Sequence, residues 1–211
     1  MGIDRRTGSA AFAMKGARVV DVAHDAAVAA QGVEFWPLQL ARELDDAILY
    51  LRLNEAKVTS WVLRSEGDAA RVAGYDALLR QAGDDWLVRE VALFWKRVMK
   101  RLDTSSRSLF ALIEPGSCFA GFLLEITFAA DRSYMLEGTF AGDNKAPATI
   151  RLSESNFGLY PMGNGLSRLA TRFLGEPETL DKARGLIGEE LDAAAAERAG
   201  LVTAAPDDID R

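Results

Sequence analysis

Histidine and cysteine are nearly missing from this sequence. Its 211 residues carry one of each, His24 and Cys118. A lone cysteine forbids an internal disulfide and suits a reducing compartment, so a cytoplasmic protein is expected. A lone histidine excludes His clusters as metal ligands and argues against a His-centred triad. With so few thiol and imidazole groups no zinc site is expected, and no metal or redox cofactor. Also lacking are an apolar run long enough to cross a bilayer and a secretory apolar segment near the start. Basic residues are outnumbered, 25 Lys and Arg against 31 Asp and Glu, for a net charge of −6. That balance argues against a nucleic-acid surface, and a polyanionic ligand would need local basic groups or backbone N–H donors. Internal repeats are absent, and Ala193 to Ala196 is the only low-complexity tract. Neither nucleic acid nor membrane is therefore expected as a partner.

What is present is an ordinary globular composition, 49% hydrophobic and 27% charged, of a length that suits one domain. Residues 1–8 are polar and read as frayed. Residues 9–15 alternate weakly and predict an edge strand. Residues 17–33 are Ala-rich without a period and read as a loop with a helical turn, in which His24 is a solvated loop residue. The division is an N-terminal strand and loop over 1–34 and a core domain over 35–211. Leu40, Ala41, Leu44, Ala47, Ile48 and Leu51 follow helical spacing, so 35–53 is a helix with Pro37 in its first turn and Arg42, Glu43, Asp45 and Asp46 outward. A strand is predicted over 58–64 and a loop opening into a helix over 65–76. An amphipathic helix follows over 84–102, with Leu87, Val91, Phe94, Trp95, Val98 and Leu102 as its inner stripe. Further on, 136–140, 149–152 and 200–203 read as short strands, and 163–173, 178–184 and 188–199 as helices. Strands separated by helices imply parallel pairing, an α/β fold.

Residues 108–135 organise the rest. The apolar run 109–113, bounded by Pro115 and Gly116, suits a buried strand. A loop of small residues reaches Gly121, and 122–130 is apolar except for Glu125 and Thr127. Glu125 is the physical oddity, because a carboxylate inside an apolar helix is either paired or used. It lies one turn after Gly121, near a helix N-terminus whose free N–H groups favour negative charge. Two readings stay open: a buried ion pair with an arginine, or a site for chemistry on a carbonyl.

The ending Ala129-Ala130-Asp131-Arg132 and the preceding Glu125 resemble the second signature of the enoyl-CoA hydratase/isomerase (crotonase) superfamily. The wording from Glu114 to Gly121 resembles its benzoyl-CoA-dihydrodiol lyase branch. Ala73-Gly74-Tyr75-Asp76 resembles the first signature, with Tyr75 as a departure. Ser153 to Leu169, through Gly158, Pro161, Gly163 and Arg168, resembles the third, with Ser153 in place of a proline. The resemblance implies the crotonase (ClpP/crotonase) spiral of repeated ββα units, with C-terminal helices missing or truncated. It also implies a shortened chain similar to the later of two such units, and an exposed apolar edge that favours a homo-oligomer. Residue by residue, it carries the paired catalytic carboxylates onto Glu125 and Glu154. The oxyanion-stabilising backbone N–H groups fall on Ala73 and on the turn at Gly121 or Phe122. Arg71 and Gly74 become candidates for contact with coenzyme A. The implied substrate is an acyl-CoA thioester, with coenzyme A entering only as part of it. The implied activity is that of a lyase or hydrolase opening 2,3-epoxybenzoyl-CoA with release of formate. A hydratase or isomerase acting on another acyl group, and a non-catalytic binding or assembly module, are the alternatives.

Overall fold

The computed structural model describes residues 1–17, 28, 30–81, 85–140, 142 and 144–207. His24 lies outside them, as does most of the loop expected over 17–33. A five-stranded sheet forms the frame, in the order β1 (Gly2–Asp4), β2 (Ser9–Lys15), β3 (Ser60–Glu66), β4 (Ser108–Ile113) and β5 (Arg132–Met135). β2 to β5 are parallel, with Phe12 opposite Leu63, Leu63 opposite Ala111, and Ala111 opposite Ser133. Two expectations fail here. Residues 2–4 are not frayed but pair antiparallel with β2, and β2 is therefore an inner strand rather than an edge. The carboxylate of Asp4 organises the intervening turn by accepting from the N–H groups of Arg6 and Thr7.

The period of two in each strand sends Phe12, Met14, Trp61, Leu63, Leu109 and Ile113 into one core. Helices α1 (Trp36–Asn54), α2 (Ala69–Arg80), α3 (Trp86–Asp103) and α4 (Gly121–Ala129) fill that core from the other side. Asp68 and Asp85 cap α2 and α3 by accepting from two backbone N–H groups each. Asp45, expected outward, is buried and paired with Arg101 of α3 at 2.5 Å, because α1 and α3 pack along that side. In α4 every residue from Gly121 to Phe128 is buried, so the helix is enclosed on all sides. Asp131, just past its end, accepts from the N–H of Leu109 at 2.8 Å and ties the helix exit to β4.

After β5 the chain is less regular. A two-stranded antiparallel ribbon joins β6 (Ile150–Arg151) to β7 (Glu190–Leu191). Between them lie a 3-10 turn (Glu154–Phe157), α5 (Arg168–Arg172) and α6 (Pro177–Gly185), and α7 (Ala193–Arg198) follows β7. Residues 136–140 and 200–203 are not strands. Leu136 and Glu137 each donate one backbone hydrogen bond, to Ile113 and Pro206, without forming a ladder. The helix expected over 163–173 starts only at Arg168, because Gly163, Asn164 and Gly165 form a turn and Ser167 supplies the cap. Leu166, expected inward, is exposed.

Candidate active site

The carboxyl ends of the parallel strands converge at glycines. Gly16 donates to the carbonyl of Glu66 at 2.7 Å, and Gly67 to that of Gly116 at 3.0 Å. A Cβ on Gly67 would stand 2.9 Å from the Cα of Gly16, so the two loops touch only because neither carries a side chain. Cys118 donates its N–H to Ser65 Oγ at 3.0 Å and fills the space behind. Open parallel sheets take ligands beyond these carboxyl ends. There a cavity of about 740 Å³ lies between β2 and α1. Phe12, Met14, Leu40 and Leu44 give it an apolar lining, Trp36 and Tyr75 an aromatic wall, and the more exposed Lys15, Glu34 and Glu43 a polar margin.

Beside that wall starts α4. Gly121 has φ +48°, a conformation that an L side chain resists, and a Cβ there would overlap Asp76 at 2.4 Å from its Cγ. The approach lets Asp76 Oδ1 accept from the N–H of Phe122 at 2.8 Å, while Arg80 Nε donates to Oδ2 at 3.1 Å. Asp76 thus caps α4 although it belongs to α2, a role that Asp68 leaves open by capping α2 itself.

The expected oxyanion donors sit as follows in this geometry. Ala73 lies in the second turn of α2 rather than in a loop, and helix geometry directs its N–H to the carbonyl four residues back. The N–H of Phe122 is at the expected helix start but is engaged by Asp76. Arg71 and Gly74 are exposed on α2, with Arg71 Nε 3.3 Å from Asp68 Oδ2 and Nη1 donating to the carbonyl of Ala17 at 3.5 Å.

Glu125 is 1% exposed, and both its oxygens are held. Asn156 Nδ2 donates to Oε1 at 2.8 Å and Arg168 Nη1 to Oε2 at 2.7 Å. Arg168 also donates to both oxygens of Asp103, at 2.9 and 2.7 Å, and to the carbonyl of Tyr160 at 2.8 Å. Of the two readings left open for Glu125, the pairing with an arginine is present. Burial pushes its carboxyl up to about 7 against the attraction of Arg168 and the hydrogen bond from Asn156, and the charge of Asp103 adds to the rise. The carboxylate whose charge acts on Glu125 in this arrangement is Asp103. Glu154 is exposed at the first position of the 3-10 turn, 3.8 Å from Arg184, whose guanidinium also covers the Phe157 ring. Asn156 joins that turn to α4, because the same amide group donates to the carbonyl of Gly121 at 2.9 Å. Asn156, Asp103 and the pairing role of Arg168 escaped the sequence reading. Only Arg168 left a signal, as part of the third signature. Among the described residues no His, Cys, Asp and Glu gather as a metal site.

Known proteins show what the chain is related to. Over 185 residues the chain is 52% identical to benzoyl-CoA-dihydrodiol lyase of Aromatoleum evansii, a match covering 88% of the chain. Solved structures of an enoyl-CoA hydratase from Bacillus halodurans and an enoyl-CoA hydratase/isomerase from Cupriavidus metallidurans superpose with TM-scores of 0.54 and 0.58. The chain has the crotonase fold and is homologous to part of benzoyl-CoA-dihydrodiol lyase. The two crotonase-fold structures are 20% and 17% identical to it; the matches cover 81% and 98% of this chain and 64% and 66% of theirs. No family model matches. The chain spans 32% of the length of the lyase. No helix among the described residues is long and apolar enough to cross a membrane.

Proposed function

We propose that this chain acts on an acyl-CoA thioester in benzoyl-CoA degradation, opening 2,3-epoxybenzoyl-CoA with water and releasing formate. The observation that carries this reading is the 52% identity over 185 residues to benzoyl-CoA-dihydrodiol lyase. The geometry supports a division of labour between the two glutamates. Glu154 is exposed and can meet water, so it is the proposed base. Glu125, closed in by Asn156 and Arg168, holds the turn that presents Glu154 and keeps a proton available near neutral pH. The start of α4 at Gly121 and Phe122 is the proposed place for the thioester oxygen, because a helix N-terminus favours charge developing there. Asp76 competes for the Phe122 N–H and would have to yield it. The reaction calls for no metal or redox cofactor, and coenzyme A enters with the substrate.

The test is to mix the purified chain with 2,3-epoxybenzoyl-CoA and measure formate. The parent protein should produce it. Glu154→Gln should lose at least about 100-fold in rate, the lower range for a general base, without loss of stability. An active Glu154→Gln protein would remove Glu154 from the mechanism. A folded parent that yields no formate, but hydrates another unsaturated acyl-CoA, would move the chain to the hydratase reading.

A further inference from the structure

The cavity between β2 and α1 has a wall that the proposed chemistry does not itself require. Trp36 opens α1, and its indole N–H donates to the carbonyl of Lys15 at 3.0 Å, which fixes the ring against the end of β2. Its ring centroid is 5.1 Å from that of Tyr75 and 5.8 Å from that of Phe122. Ring contacts therefore link the cavity wall to the buried ring of Phe122 in the first turn of α4. Tyr75 directly precedes Asp76, the residue that holds the Phe122 N–H. Phe12 and Met14 of β2 and Leu40 of α1 add apolar lining, beside the polar Gln31, Gln39 and Glu43.

We propose that Trp36 and Tyr75 are specificity-determining residues that seat the ring of a cyclic, unsaturated acyl group in this cavity, with its thioester directed to the start of α4. A flat unsaturated ring gains edge and face contacts with Trp36 and Tyr75 and a sulfur contact with Met14, whereas a straight chain gains only buried area. The thioester is directed to α4 because the buried Phe122 ring packs against Trp36, and its N–H lies at the helix start. This assignment rests on the acyl-CoA reading above.

Titration calorimetry with benzoyl-CoA, butyryl-CoA and free coenzyme A tests it. The parent chain should bind benzoyl-CoA at least about tenfold tighter than butyryl-CoA, a 1.4 kcal/mol preference. Trp36→Leu should bring that ratio close to one while affinity for free coenzyme A holds. Ala47→Phe, which adds a ring at a half-buried position lining the cavity, should weaken benzoyl-CoA more than butyryl-CoA. If either variant fails to fold, the other decides. A ratio near one in the parent, or unchanged in a folded variant, overturns the assignment and leaves the acyl-CoA reading standing. A folded parent that binds neither thioester overturns both.

Discussion

Arg168 serves two buried carboxylates with one guanidinium, itself 2% exposed. Burial is the main reason a proton is held so readily on Glu125, and the charge of Asp103 adds to it. Arg168→Met would leave two carboxylates facing each other out of water. Urea unfolding near neutral pH should show a loss of about 3–5 kcal/mol. The proton also makes stability depend on pH. The Glu125 carboxyl sits at about 7 in the folded protein against an ordinary 4.5. Between those values the folded chain keeps a proton that the unfolded chain has released, so stability falls as pH rises through this window. The full cost, about 3 kcal/mol, is in place above the folded value, and below 4.5 the group contributes no pH dependence. Unfolding midpoints at pH 5 and pH 8 should differ in that direction, and Glu125→Gln should flatten the difference. The sequence exposed Glu125 as an anomaly, because a carboxylate in an apolar helix is visible in one dimension. Its partners were not visible, because Asp103, Asn156 and Arg168 come from three other elements and meet only through packing.

At the scale of elements, the start of α4 depends on a side chain borrowed from α2. Gly121→Ala would force a left-handed conformation on a residue with a Cβ and press it into Asp76. A loss of about 2 kcal/mol or more is expected in thermal or urea unfolding, with reduced acyl-CoA binding as the helix start shifts. If Gly121→Ala folds with unchanged stability, the close approach of α2 and α4 is not needed. Periodicity showed α1 and α3, each with a long pattern of its own, while apolar runs showed α4 and β4. It failed where a run of β-favouring residues lacks a ladder partner, as at Leu136, and where a helical pattern contains glycine turns, as between Gly163 and Gly165. It also misjudged β2 as an edge, because β1 is only three residues long and carries no pattern to announce itself.

For the molecule as a whole, one core joins the sheet to the later elements. Phe12 of β2, Phe122 of α4, Leu169 of α5 and Ala196 of α7 belong to a single buried cluster. Urea unfolding followed by the fluorescence of buried Trp61 and Trp95 should therefore coincide with the loss of helical circular dichroism. Two separated transitions would show that the segment after β5 is an independent unit. The glycine-tight junction of the strand ends has a practical consequence as well. Cys118, fully enclosed there, has a thiol that burial raises to about 11, so it is neither exposed nor ionised near neutral pH. A maleimide or aromatic disulfide can reach it only when that end of the sheet parts. The rate of labelling then times the breathing of the carboxyl end of the sheet in the unaltered protein, with a single thiol as the timer.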